Sequence, residues 1–536
     1  MYTPAGRFKP GWPERPYTDE IRSLAVDDLD GDGQMEIVVA RASGDDNNRD
    51  QWTVLEPNGA VRPGWPRLSS SDPGYSYGAY NQNVGVADID GDSRGEIIGP
   101  SDVHYISAFN DDGSQIPANA RYNNSTPRGP KVWSQVGVHL SDAVDLRGYA
   151  NCGTEHRPNF AVSAPAIADL TGDGTHEVVV VGNVSNCGVD PPESLAHIPF
   201  IFNADRSRWS AGNYDWTAPP PLGGTSGAPL SEDYNLIQSA LPNPVLADLD
   251  GDGVKELLFA AYDGKLHAFW MDKTEHGNWP VNVAGLAGDI SFASEPVVAD
   301  LDNDGQAEVI FGTWPKTGGQ RNGKLIVADA QGRVLHQAPL PAPLNSDPTA
   351  WNGVLAAPTL ANIDSDPDLE VVLGTVGAGI VAYDLPGTAD ARVLWGTGRG
   401  SLLRTGAAPA QTSFTAARPS TPQPGDTVTF RLTLADPLGA PQLPLEATIA
   451  LPARLTYVPG SLAVSGGSGS ESAGTINWNG TLRSGKPATV TFQARIAGGA
   501  AGILSVVARV RGGHTADLSV SFLVGGRTVS LPLARR

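Results

Sequence analysis

Residues 28–36 read Asp-Leu-Asp-Gly-Asp-Gly-Gln-Met-Glu, with carboxylates at positions 1, 3, 5 and 9 of a nine-residue phrase: Asp28, Asp30, Asp32 and Glu36. In a chain that curls around a point, alternate side chains converge. Their oxygens, with one main-chain carbonyl near position 7 (Gln34), form the hard oxygen cage that Ca²⁺ takes. Without a cation such a cluster repels itself: two unit charges about 4 Å apart cost roughly 1 kcal/mol in water and several times more at lower effective dielectric. Gly31 and Gly33 suit a tight loop with positive φ, and Leu29 at position 2 can plug a core.

The phrase returns five times, at intervals of 60, 81, 79, 52 and 62 residues. The second copy offers Asp88, Asp90, Asp92, the Arg94 carbonyl and Glu96; the third Asp169, Thr171, Asp173, the Thr175 carbonyl and Glu177. The fourth offers Asp248, Asp250, Asp252, the Val254 carbonyl and Glu256; the fifth Asp300, Asp302, Asp304, the Gln306 carbonyl and Glu308. The sixth offers Asn362, Asp364, Asp366, the Asp368 carbonyl and Glu370, with Pro367 in place of the second glycine, and is the weakest. Up to six Ca²⁺ ions are expected. An EF-hand is excluded, because it needs flanking helices and a glutamate at position 12, where this chain has Val39. Mg²⁺ fits less well, since it keeps several waters rather than using an all-protein cage.

The elements that position these loops are legible in the flanks. Short apolar runs precede and follow each phrase, such as VLA before and LLFA after the fourth. Each phrase is therefore a loop between two strands. Most units continue into a third and fourth strand with a turn between, as in residues 52–66, 266–280, 325–339 and 380–395. Four antiparallel strands per unit of about 60 residues is the arrangement of a propeller blade. Six blades are expected. Residues 1–13 match the back half of another, as KPGWP (9–13) repeats RPGWP (62–66), so six or seven blades remain open. No signal peptide is visible at Met1, which fits a chain that begins inside a mature protein. Long inserts are expected at about 110–160 and 185–240.

Residues 1–410 carry a net charge of −27 and residues 411–536 a net of +6. An acidic body of this size argues against nucleic acid as partner. No run of 18 apolar residues is present, so no membrane-spanning helix is expected. Cys152 and Cys187 flank the third phrase; they close one disulfide, worth roughly 3–4 kcal/mol for that loop length, or remain free thiols.

The DxDxDGxxE phrase between strands, with GWP segments after it, resembles the FG-GAP/VCBS repeats of integrin-α-type propellers and many secreted bacterial proteins. The resemblance covers residues 1–408 and implies Ca²⁺ on the solvent-facing loops; it does not fix an activity. A Pro/Ala/Thr/Ser-rich linker is expected at 409–426. Seven alternating strand candidates then fill 427–536 and read as an immunoglobulin-like sandwich. They resemble the Ig-like conserved repeat domains of bacterial surface proteins. The fold class is thus all-β: a propeller followed by a sandwich.

No catalytic motif is found: no GxSxG, HExxH, phosphate loop or CxxC. His139 and His156 in the first insert could meet in space, a minor reading. Trp12, Trp65 and Trp279 read as packing between blades. Trp133, Trp209 and Trp216, beside Tyr122, Tyr149 and Tyr214, either stack on a ligand or fold the inserts onto the ring. The leading expectation is a secreted or surface-bound, non-catalytic module that binds extracellular polysaccharide or protein. The alternatives are a Ca²⁺-dependent polysaccharide lyase or hydrolase, and a surface-layer or filament subunit that self-assembles through its Ig-like domain.

Overall fold

The computed structural model describes the chain except residues 4, 15–20, 42–51, 66–83, 101–103, 126–129, 146–155, 161–162, 187–192, 221–239, 284–289, 318–320, 348, 440–441, 484–485, 513–515 and 526–536. The described residues are almost wholly β; helical turns are confined to Ala120–Ser125, Trp133–Gln135 and Asp142–Asp145. The chain forms two compact units, Met1–Ala408 and Pro409–Arg536.

In the first unit each acidic phrase joins two antiparallel strands. The pairs are Ile21–Asp27 with Glu36–Arg41, Gly85–Ala87 with Glu96–Pro100, and Ala166–Ala168 with Glu177–Asn186. They continue with Val245–Ala247 and Glu256–Ala261, Val297–Asp300 and Glu308–Thr317, and Thr359–Ala361 and Leu369–Thr375. A third strand follows in every sheet: Trp52–Leu55, Ile106–Phe109, Glu193–Phe202, Lys265–Phe269, Lys324–Ala328 and Gly379–Leu385. Strands such as Glu256–Ala261 are buried at every residue. That is why these runs are continuously apolar rather than alternating.

The fourth strand varies. Val281–Asn282 and Val334–Pro339 complete the fourth and fifth sheets. In the first three, only single bridges form: Leu55 with Val61, Phe109 with Gln115, and Phe202 with Arg208. The sixth departs from the expected four-strand unit: Arg392–Trp395 leaves its own sheet and pairs with Val297–Asp300 of the fifth. There Leu394 and Trp395 enter the core shared by the third to fifth sheets. Burying side chains of that size yields about 1.5–3 kcal/mol each, whereas Gly379–Leu385 exposes Ile380 at 81% and has little apolar surface to cover. The insert expected at 185–240 also shrinks, because Glu193–Phe202 is an ordinary third strand.

Beyond Trp395 the chain runs along the first strands of several sheets. Main-chain N–H groups of Leu360, Val26, Val86 and Ile167 donate to the carbonyls of Gly396, Leu403, Thr405 and Gly406. Arg399, fully buried within this segment, donates from its guanidinium to the Val84 and Pro165 carbonyls, and from its N–H to Glu295 Oε1 at 2.8 Å. One segment thus ties sheets that are far apart in sequence.

The second unit holds two antiparallel sheets around one apolar core that includes Phe430, Trp478, Phe492 and Val506. One sheet runs Ser413–Ala417, Thr427–Leu434, Ala488–Ile496 and Leu455–Tyr457, with Ala463–Val464 also on Ala488–Ile496. The other runs Gly467–Ser472, Thr475–Arg483, Gln442–Ala450, Gly502–Gly512 and Ala516–Val524. Burial alternates residue by residue, as in Ala488–Ile496. Two expectations change. Ser413–Ala417, read as linker, is an edge strand that buries Phe414. The strand read at 455–464 is broken around Pro459, which cannot donate to a ladder.

Candidate metal centres

Each acidic phrase folds into the same hydrogen-bonded loop. The position-9 glutamate turns inward, and its Oε2 accepts the position-2 N–H in all six copies, from Leu29, Ile89, Leu170, Leu249, Leu301 and Ile363, at 2.7–3.0 Å. Oδ1 of the position-5 aspartate accepts the N–H of Gln34, Arg94, Thr175, Val254, Gln306 and Asp368. In the first five copies Oδ2 of the position-1 aspartate accepts the position-6 N–H. Oxygens of Asp28, Asp30 and Asp32 lie within 4.8 Å of one another, as do those of Asp88, Asp90 and Glu96 and of Asp248, Asp250 and Glu256. The same holds for Asp300, Asp302 and Asp304, and for Asp364, Asp366 and Glu370.

The electrostatics of these loops fit a cation. Oε1 of Glu96, Glu256 and Glu370 is buried with no hydrogen-bond partner, on residues at most 4% exposed. An unpartnered buried carboxylate oxygen is costly unless something positive meets it. Burial, reinforced by the neighbouring aspartates and only partly offset by the position-2 N–H, pushes Glu96 up to about 8 and Glu256 up to about 9. Burial likewise pushes Glu36, Glu177 and Glu308 up to about 7. The donor set is all oxygen, which suits Ca²⁺ rather than a softer metal.

The copies differ as their residues dictate. Positions 4 and 6 have positive φ in the first five loops, including the non-glycine Ser93 (71°) and Asn303 (58°). In the third, the Thr175 hydroxyl donates to Asp173 Oδ1 and lies 3.1 Å from Glu177 Oε1. In the sixth, Pro367 has no N–H to give position 1, and Asn362 instead donates its side-chain amide to the Asp366 carbonyl. Its position-2 plug, Ile363, is 57% exposed, whereas Leu29, Leu170 and Leu249 are fully buried.

A second repeated device joins neighbouring sheets; the sequence points to Trp12, Trp65 and Trp279 as packing there, but not to the turn that receives them. After each of the first five third strands the chain makes the same turn, in which Glu56, Asn110, Asn203, Trp270 and Asp329 donate their N–H to the carbonyl four residues on. A tryptophan from the preceding connection donates its indole N–H to the carbonyl of the second turn residue. The pairs are Trp12 to Pro57, Trp65 to Asp111, Trp133 to Ala204, Trp216 to Met271 and Trp279 to Ala330, all 2.9–3.1 Å. Gly11 and Gly64, at φ 82° and 91°, precede two of these tryptophans where a Cβ would collide with the Asn58 and Asp112 carbonyls. Trp133, Trp209 and Trp216 are at most 2% exposed, so they fold the inserts onto the sheets and are not free to stack on a ligand. The available signal was at least one tryptophan between each of these turns and the next acidic phrase, although Trp209 and Trp351 fit that spacing and, among the described residues, bond no turn.

Tyr122 is buried as well, in a charged cluster of the first insert. Asp145 is wholly buried there; it accepts His139 Nδ1 at 3.0 Å and Arg208 Nε at 2.9 Å, with Arg206 at 3.6 Å. Burial raises the Asp145 carboxyl, but Arg208, His139 and Arg206 outweigh it and hold the group below its ordinary range. This is a packing anchor: His139 meets His104 at 5.1 Å between ring centroids. The side chain of His156, together with Tyr149, Cys152 and Cys187, lies outside the described residues.

A family model described as the FG-GAP-like repeat matches residues 5–99 and 248–311, which contain the first, second, fourth and fifth acidic phrases. Those two segments are similar to FG-GAP-like repeats. No curated protein matches it. Among solved structures, a rhamnogalacturonan lyase from Bacillus licheniformis is 14% identical at a TM-score of 0.28, covering 68% of this chain and 71% of that one. A collagen-binding domain of an Erysipelothrix rhusiopathiae surface protein is 12% identical at 0.18, covering 44% and 88%. The collagen-binding domain of a Staphylococcus aureus adhesin is 8% identical at 0.17, covering 20% and 95%. Likenesses this distant leave the function of the FG-GAP-like repeats to be argued from their own chemistry.

Proposed function

We propose that the protein is a calcium-stabilised, secreted or surface-exposed binding module for extracellular polysaccharide or protein. Its repeats are blades of a propeller, and its second unit is an immunoglobulin-like stalk. The observation that carries the metal reading is the buried, unpartnered Oε1 of Glu96, Glu256 and Glu370 beside converging aspartates. In each loop the aspartates at positions 1, 3 and 5, the glutamate and the position-7 carbonyl would hold the ion. The ion supplies positive charge where the chain has concentrated negative charge. The position-9 glutamate starts the second strand, so a filled loop clips the first two strands of a blade together.

The binding role follows from the distribution of the chemistry. The carboxylates of the six phrases are committed to the loops and the described tryptophans of the inserts to packing, which assigns recognition to the remaining surface. Two measurements test this. Titration calorimetry with melting in Ca²⁺ and in EDTA tests the metal; an unchanged melt with no heat of uptake would remove it. Affinity electrophoresis against a polysaccharide panel, with the polymers sized afterwards, tests the role. Retardation without shortening supports a binding module, whereas shortened polymers make the protein an enzyme.

A further inference from the structure

The seam between the fifth and sixth sheets has no tryptophan across it. Every earlier turn receives an indole N–H from the preceding connection. The connection into the sixth sheet carries Trp351, but its ring packs beside Trp314 at 6.3 Å between centroids, and among the described residues no tryptophan lines the space beside Pro386 and Gly387. A cleft of about 520 Å³ opens there instead. Its walls are Leu325 and Val327 of the fifth sheet, Leu335 on the fifth sheet's last strand, and Tyr383 and Leu385 of the sixth. Main-chain bonds also join some neighbouring loops, but none is formed by the position-8 N–H at this seam. Gly95, Lys255 and Ala307 donate their N–H groups to the Leu29, Leu170 and Leu249 carbonyls of the preceding loop, whereas Leu369 donates to Thr388 Oγ1 of its own unit.

The charges point to the occupant. At the first seam, Arg62, three residues before Trp65, reaches Asp30 Oδ2 at 3.0 Å and Asp111 Oδ2 at 2.7 Å, so the tryptophan and a cation enter together. At the fourth loop the indole of Trp270 covers Asp250 Oδ2 at 3.0 Å. The open cleft carries the equivalent Asp302 together with Asp384, and neither an arginine nor a lysine lines it.

We propose that this cleft is a docking site for an extended segment of a partner protein of the form basic-Pro-Gly-Trp-Pro, the pattern this chain uses at Lys9–Pro13 and Arg62–Pro66. The tryptophan fills the apolar cleft, while the basic side chain meets Asp302 and Asp384. The cleft is of a size that seats one large side chain and its neighbours. The apolar part of the site rests on the seam and not on an ion, whereas Asp302 is shared with the fifth acidic loop.

The test uses the full chain and a fluorescein-labelled peptide of residues 58–68, followed by anisotropy. Saturable binding is expected at on the order of 10–100 µM, at least about tenfold weaker for a peptide with Trp65 replaced by alanine. Leu335→Arg, at a side chain 46% exposed, should abolish binding without lowering the melting temperature, and Asp384→Lys should weaken it. Absence of saturation up to about 1 mM, equal binding of the alanine peptide, or undiminished binding by Leu335→Arg would overturn the proposal. Self-association of the chain that Leu335→Arg removes would assign the cleft to a second copy and overturn the partner assignment.

Discussion

The seam between the fourth and fifth sheets and the seam between the fifth and sixth are built from similar strands but close differently. At the former, buried Trp279 reaches the Ala330 carbonyl, Asn278 N–H reaches Gln331, and Ala307 N–H reaches Leu249. At the latter, Leu369 bonds within its own unit, and beside the cleft the Tyr383 hydroxyl reaches the Pro339 carbonyl at 3.3 Å in an exposed bond. The sheets do not seal against each other by shape. A side chain delivered by the connecting segment seals them, and where the tryptophan of the connection, Trp351, packs beside Trp314 instead, a cleft remains.

Calcium withdrawal should have the largest effect on this contrast. Each ion held at about 100 times its Kd adds about 2.7 kcal/mol to the native state, so EDTA should lower the melting temperature by many degrees. The calorimetric stoichiometry should report at least the five loops with positive φ at positions 4 and 6. Next comes the seam itself. Trp133→Ala should cost about 3–5 kcal/mol in urea unfolding, while Leu335→Ala at the open seam should stay within about 0.5 kcal/mol; equal costs would erase the distinction. Among the loops, Asp250→Ala should remove one ion from the stoichiometry, and Asp364→Ala should change it less. Pro367→Gly should strengthen the sixth site by restoring an N–H and a permissive φ, read as a higher stoichiometry or affinity.

The smallest effect is a pH dependence inside the sealed region. His267 is buried, which lowers its pKa, but hydrogen bonds to Asp263 and Glu275 outweigh burial and raise it overall. Its contribution is therefore complete below the unfolded value of about 6.5 and is lost as pH rises through the folded one. His267→Gln should destabilise by on the order of 2 kcal/mol at pH 6, with the difference shrinking toward pH 9 in thermal melts.

The loops were legible because their chemistry lies in side chains at fixed spacing: Asp28 to Glu36 state both the ligands and the turn. The pairs of strands around them were legible for the same reason, being apolar runs with nowhere to go but a core. The destination of Arg392–Trp395 was not. Its pattern suits any strand, and burial of Trp395 beside the fifth sheet, not local propensity, decides its partner. Ser413–Ala417 looked like linker because the prolines around it, Pro409, Pro419 and Pro422, dominate the composition. The role of Trp133 and Trp216 was hidden because they bond to main-chain atoms, which leave no mark on the sequence of the partner turn.

That last point bears on how such a chain can change over time. The accepting residues are Pro57, Asp111, Ala204, Met271 and Ala330, five residue types serving one purpose, since only the carbonyl is used. The receiving half of the joint places no demand on its side chain, so one half of the interface can drift freely while the other is fixed. Units joined this way are interchangeable parts. A duplicated or transplanted repeat needs no matching mutation in its new neighbour, only a tryptophan in the segment that leads into it.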